Sequence, residues 1–273
     1  MSLATILLIM AAGAISGSLG ALLGIGGGVF LVPFLNSVMG MDFKTAAAVS
    51  LMTVIATSSA VSARASGRQL INLRLGMLLE VASAAGGAAA GMLFHEIPEA
   101  ALLTLFAAVS GIIALLTLSR IDRRNVIFDS TVQPGLLGGR FVDADTEREV
   151  VYRVKRLPLG LGASFLAGSV SGLLGIGGGV LKVPVLNSWC GIPMRAAAAT
   201  SGLMIGVTAV ASAPIQYASG YIPPPMAAAA VLGVLVGARA GFMIGGRAKA
   251  RWLKLLMALV LAAVSATYVV KAL

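Results

Sequence analysis

Apolar positions along this 273-residue chain run in long unbroken stretches rather than alternating or recurring on one helical face. Stretches such as Ala100 to Leu118 and Leu253 to Val270 are long enough to cross a bilayer core as helices. The pattern predicts six spans, at about 45–63, 73–94, 99–119, 196–217, 226–245 and 252–271. Two further apolar segments, Ser2 to Met39 and Pro158 to Cys190, are interrupted by glycine clusters. Lipid offers a broken helix no hydrogen-bond partners, so such a break must be buried in protein or line a cavity.

The two breaks are copies of one another. LGIGGGVFLVPFLNS at Leu23 to Ser37 and LGIGGGVLKVPVLNS at Leu174 to Ser188 share 12 of 15 residues and lie 151 positions apart. The duplication continues: Gly40 matches Gly191, Lys44 matches Arg195, and Gly87 to Gly91 matches Gly237 to Gly241 with the register slipped by one. The chain therefore divides into a first membrane repeat (1–119), a linker (120–157) and a second membrane repeat (158–273). The linker carries charges of both signs, and Arg140 to Arg153 reads as a short β-hairpin.

Loop charge orients the repeats. Arg64, Arg68 and Arg74 cluster after the first span, and the linker holds eight Lys or Arg, which places both in the cytoplasm. The loop His95 to Glu99 has neither Lys nor Arg and belongs outside. In the second repeat, Ser219 to Pro225 is uncharged, whereas Arg247, Lys249, Arg251 and Lys254 crowd the next loop. Equivalent loops face opposite sides, so the repeats are inverted. Inversion requires an odd number of crossings per repeat. That parity is met if each glycine-broken segment dips in and returns. The expected fold is an all-α integral membrane protein of two inverted-topology repeats, each a re-entrant glycine-tipped helical hairpin plus three transmembrane helices. Both termini are then periplasmic.

The tips carry the candidate chemistry. A G-x-G-G-G turn opening a helix presents unpaired N–H groups and a positive dipole end, which suit an anion. Gly24, Gly26, Gly27 and Gly28, with Gly175, Gly177, Gly178 and Gly179, are the expected substrate-binding backbone. Ser50, Ser201, Thr57 and Thr208 recur as pairs in the helices that follow; such hydroxyls serve either a substrate or helix packing. Pro33 and Pro184 bend the return arms, and Asn36 and Asn187 either cap them or line the pathway. Three ionisable residues lie inside apolar segments and are functional candidates by default. Lys182 replaces Leu31 of the first copy, and either faces the anion or snorkels away. Arg239 replaces Ala89 and offers a fork for an oxyanion. Glu80 either carries a coupled proton or pairs with Arg74 or Arg239. His95 reads as an interfacial residue.

Composition narrows the classes. The chain is 58% hydrophobic and 11% charged, with a mean hydropathy of +0.98. Its net charge of +10 lies largely in short loops beside spans, which argues for a lipid bilayer and against nucleic acid as partner. Cys190 is the single cysteine, so neither a disulfide nor a thiolate metal site is expected. The N-terminal apolar stretch lacks a basic flank and recurs later, so it reads as mature structure rather than a signal peptide. The glycine cluster lacks the Lys-Ser/Thr ending of a nucleotide-binding loop, and no nucleophile–base or metal-ligand spacing occurs. No enzyme, no cofactor and no metal are expected.

The paired G-I-G-G-G-x-x-x-V-P motifs, the G-A-R-x-G of the second half and the charged central loop resemble the TauE/SafE (TSUP) sulfite exporter family. The resemblance covers nearly the whole chain, and the two glycine segments and Arg239 fit the family pattern. It implies a bacterial inner-membrane permease for sulfite or small organosulfonates such as sulfoacetate. A secondary transporter exporting such an anion by alternating access is the leading expectation. Proton-coupled uptake of sulfate, thiosulfate or a small carboxylate, a passive anion channel, and a non-transporting membrane scaffold are the alternatives. The glycine-rich faces suit internal packing and a dimer contact equally.

Overall fold

A computed structural model describes residues 2–23, 26–66, 70–119, 133–142, 149–245 and 250–272. Arg68, Gly24, Arg247, Lys249 and most of the linker's charges lie outside the described residues. Helices α1 (Leu3–Leu23), α2 (Gly28–Pro33), α3 (Phe43–Ser66), α4 (Leu73–Leu93) and α5 (Glu99–Ser119) build the first half. Helices α6 (Leu157–Leu174), α7 (Gly179–Ser188), α8 (Met194–Ala218), α9 (Pro224–Gly245) and α10 (Ala250–Ala272) build the second. The six expected spans correspond to α3–α5 and α8–α10. Among the described residues seven helices are long and apolar enough to cross a membrane: α3, α4, α5, α8 and α9 of the expected spans, together with α6 and most of α1, while α10 contributes a shorter apolar stretch, Ala258–Lys271. The first arm of each glycine-broken segment is thus of spanning length, while the return arm is short. At α2 the return arm changes after Pro33 into a π-helical turn, Phe34–Val38. Pro184 sits inside α7, which stays α-helical to Ser188.

Small residues set the helix pairing. Along α1 and α9, Gly233 lies against Met10, Gly237 against Ala14 and Gly241 against Ser18, so the two helices run in the same direction. A Cβ at Gly17 or Gly237 would strike the partner's backbone, so only glycine permits this approach. Helices α6 and α4 repeat the arrangement, with Gly86 against Phe165, Gly168 against Ser83 and Gly172 against Gly87. Helices α3 and α8 cross antiparallel at the centre. Ser58 donates to the Gly202 carbonyl (2.6 Å), and Gly202 packs on Val61. Helices α5 and α10 close the outside, joined by Ser265 donating to Ala107 (2.8 Å) and by Phe106 against Tyr268. Exchanging the halves maps α1–α9 onto α6–α4 and maps each of the other two pairs onto itself.

The same hydrogen bond recurs at the end of each return arm. Asn36 Nδ2 donates to Met41 (2.7 Å), and Asn187 Nδ2 donates to Ile192 (2.8 Å). These asparagines tie down the loops that follow the return arms. The outer faces are apolar and exposed, as at Val81, Leu115 and Val236, which suits lipid contact. The expected hairpin is present as β1 (Gly139–Val142) and β2 (Glu149–Tyr152), antiparallel with Arg140 opposite Val151.

Candidate functional site

The two glycine turns meet at the centre of the molecule. At the second, α6 ends on Gly175 in the left-handed conformation (φ 68°), and its N–H bonds Ser171 (2.9 Å). Gly177 (φ 82°) and Gly178 (φ 61°) complete a turn that side chains rarely adopt. Helix α7 then starts, with the Leu181 and Lys182 amides both bonding the Gly178 carbonyl (3.1 and 3.1 Å). At the first turn, Gly26 (φ 79°) lies against Ile205 and Val54, and Ser16 Oγ donates to the Gly27 carbonyl. The turns abut, since a Cβ on Gly28 would strike the Gly175 carbonyl. Ser50 Oγ donates to that same carbonyl (2.7 Å).

Beside the second turn lies a buried ionic cluster from three helices. Glu80 (α4) is 4% exposed and Lys182 (α7) 1%. Lys182 Nζ stands 3.4 Å from Glu80 Oε2 and donates to Thr208 Oγ1 of α8 at 2.9 Å. Thr208 in turn donates to Glu80 Oε1 (2.6 Å), and Ser83 joins Thr208 at 2.8 Å. Charges so far from water persist only when paired and hydrogen-bonded. Lys182 therefore neither snorkels nor stands alone, and the partner of Glu80 is Lys182 rather than Arg74 or Arg239.

Other expected residues fall in different places. Thr57 bonds the Thr53 carbonyl of its own helix (2.7 Å). Ser201 is fully buried, and its hydroxyl has no partner among the described residues. Arg239 is exposed on α9, whose glycines Gly237 and Gly241 face α1, so it is not gathered with the cluster. Three residues at the second turn went unnoticed in the sequence. Ser83 completes the hydroxyl chain, while Ser171 Oγ and Gln216 Oε1 are buried without a partner among the described residues. Ser83 lies three residues past Glu80, and Gln216 eight past Thr208, so helical spacing would have found both.

The β-hairpin closes one end below this cluster. Phe141, Val150 and Tyr152 bury against Leu75, Leu79, Val183, Leu186 and Cys190. Leu79 and Val183 are the immediate neighbours of Glu80 and Lys182, so the hairpin forms a floor under the ion pair. Asn72 caps α4 by accepting from Leu75 N (3.1 Å) and donates to Leu137 (2.8 Å) and to Tyr152 Oη (3.2 Å). Burial pushes the Tyr152 phenol up from its ordinary value, so it stays protonated. Phe141→Ala should remove about 3 kcal/mol from this docking. Limited trypsin digestion of membrane vesicles should then cut at Arg153 or Lys155 at least roughly tenfold faster. Unchanged cleavage would mean that the floor is held by something else. At the opposite end of the molecule, His95 Nδ1 meets Tyr221 Oη (2.9 Å), and Lys44 donates to the His95 carbonyl (2.8 Å).

Comparison with known proteins agrees with this picture. No solved structure matches the chain. It is similar to a protein of Bacillus subtilis (strain 168) described as "Probable membrane transporter protein YunE", with 26% identity over 260 residues, covering 91% of this chain and 92% of that one. The family described as "Sulfite exporter TauE/SafE" matches residues 9–268. A match across both glycine turns, the ion pair and the linker places the chain in the TauE/SafE family of membrane proteins.

Proposed function

We propose that this chain is a secondary transporter that exports a small sulfur-containing anion, sulfite or a C2 organosulfonate such as sulfoacetate, by alternating access. The observation that carries the reading is the meeting of two glycine turns beside a buried lysine. The anion would sit against the amides of Gly177 to Gly179 at the start of α7, with Lys182 supplying charge and Ser50 and Thr208 framing the site. Family membership and the likeness to a probable membrane transporter support transport. The family's name favours a sulfur oxyanion.

The antiparallel crossing of the equivalent helices α3 and α8, and the exchange symmetry of the other pairs, support inverted repeats. Rocking of one half against the other around the glycine turns would then alternate access. The basic linker and Arg74 are assigned to the cytoplasm of a bacterial inner membrane, and both termini to the periplasm. In this assignment the hairpin floor is the cytoplasmic closure.

The test is flux into and out of proteoliposomes loaded with labelled sulfite, sulfoacetate or acetate. Saturable movement of the sulfur anions, competed by one another and much weaker for acetate, is the expected result. A scaffold would move none of them, and a channel would show no saturation.

A further inference from the structure

We propose that this chain moves one proton with each anion, Glu80 binding the proton and Lys182 coupling the two by changing partners. Coupling of this kind presupposes the anion site proposed above and adds a second cargo to it. An ammonium has three donors. Those of Lys182 reach Thr208 (2.9 Å) and Glu80 (3.4 Å), and the third has no partner among the described residues. The contact with Glu80 is longer than a strong charge-assisted bond, so the carboxylate is the looser of the two. Lys182 occupies the first turn of α7, where side chains lean toward the helix start. That direction leads to the glycine amides.

An anion taking the third donor draws the ammonium off Glu80. The carboxylate then retains only the Thr208 hydroxyl (2.6 Å), at a site 4% exposed. No other cation reaches it among the described residues. Helix α6, packed on α4, has no ionisable side chain. Helix α8 carries Arg195 and Tyr217, both exposed toward its ends, and α4 itself carries only Arg74, also exposed. Below, Tyr152 is engaged by Asn72 and Cys190 is buried in the floor. An unpaired buried carboxylate is resolved by protonation. An O–H bond therefore forms on Glu80 as the anion binds, water on the open side breaking an O–H bond to give the proton and releasing the hydroxide to the bulk on that side. On the other side the anion leaves, Lys182 returns to Glu80, and the proton departs.

The asymmetry of the halves points the same way. Where the second half has Lys182 and Thr208, the first has Leu31 and Thr57, and the counterpart of Glu80 is Ala230. Leu31 and Ala230 are buried in an apolar cluster. Base and acid are thus present together or absent together, as a working pair requires.

The experiment uses the full chain in proteoliposomes holding a pH-reporting dye, with labelled isethionate, sulfoacetate and sulfite as probes. The wild type is expected to carry one proton more per anion than Glu80→Gln. Isethionate is a permanent monoanion, so its wild-type flux should change less than about twofold under a clamped potential of 100 mV, whereas that of Glu80→Gln should change several-fold. Equal proton counts in the two proteins, or wild-type isethionate flux without protons, overturn the proposal. The wild-type isethionate measurement decides alone if Glu80→Gln does not fold. Flux of none of the three probes overturns the anion reading itself, a failure distinct from flux without protons.

Discussion

Lys182→Met is expected to destabilise the protein by about 3–5 kcal/mol, because it takes from Glu80 its cation partner inside the membrane domain, so that the buried carboxylate must take up a proton to persist there. For a chain of this size that corresponds to roughly 10 °C in the midpoint of thermal unfolding in detergent. Adding Glu80→Gln to Lys182→Met should recover most of the loss, since both charges then disappear together. Anion flux should not recover with it. The double variant is expected to transport at least roughly a hundredfold more slowly than wild type, because the charged pair beside the second glycine turn is gone. Recovery of stability without recovery of flux separates the ion pair's role in transport from its role in folding. A Lys182→Met protein that melts like wild type would show that Glu80 does not depend on it, and a double variant with full flux would remove Lys182 from the substrate path.

The helices were legible because length and unbroken apolarity suffice to mark a span. Boundaries expected at 45–63 and 196–217 became Phe43–Ser66 and Met194–Ala218, a few residues longer at each end, where polar ends continue a helix that hydropathy stops counting. The glycine breaks were legible through their repetition. What hydropathy could not supply was the helix that each first arm packs on, which the contacts between α1 and α9 give, with Gly237 against Ala14 and Gly241 against Ser18.

Pairing of the buried charges was hidden for a different reason. Glu80 and Lys182 lie 102 positions apart in different repeats, and no local periodicity relates them. Arg239 is the instructive contrast, since its placement was within reach of the sequence. Gly237 and Gly241 are four apart and share one helical face; a residue midway between them is turned about 200° away. When that glycine face packs on α1, Arg239 has to point elsewhere, and it is exposed. Its position inside an apolar stretch drew attention that its helical phase did not support.

The glycines of the turns are not equivalent to glycines elsewhere, and a matched pair of substitutions should show it. Gly175 and Gly40 have the same backbone angle, φ 68°. Around Gly40 an added Cβ meets nothing within 4 Å, whereas at Gly175 it meets the Ala47 backbone, with Cα and C both at 2.9 Å. Gly40→Ala should therefore lose only the left-handed penalty, about 1–2 kcal/mol, and keep flux within roughly twofold. Gly175→Ala adds overpacking of about 1–3 kcal/mol against backbone that cannot rotate away. The Gly175 carbonyl accepts from Ser50 and abuts Gly28, so a shift of the second turn must displace the first. Flux in Gly175→Ala is accordingly expected to fall by at least about a hundredfold, a loss much larger than its stability alone accounts for. Thermal unfolding and proteoliposome flux measured side by side check both halves of the comparison. Equal flux in the two variants would mean that the meeting of the turns is a packing feature, and that the anion is held elsewhere in the molecule.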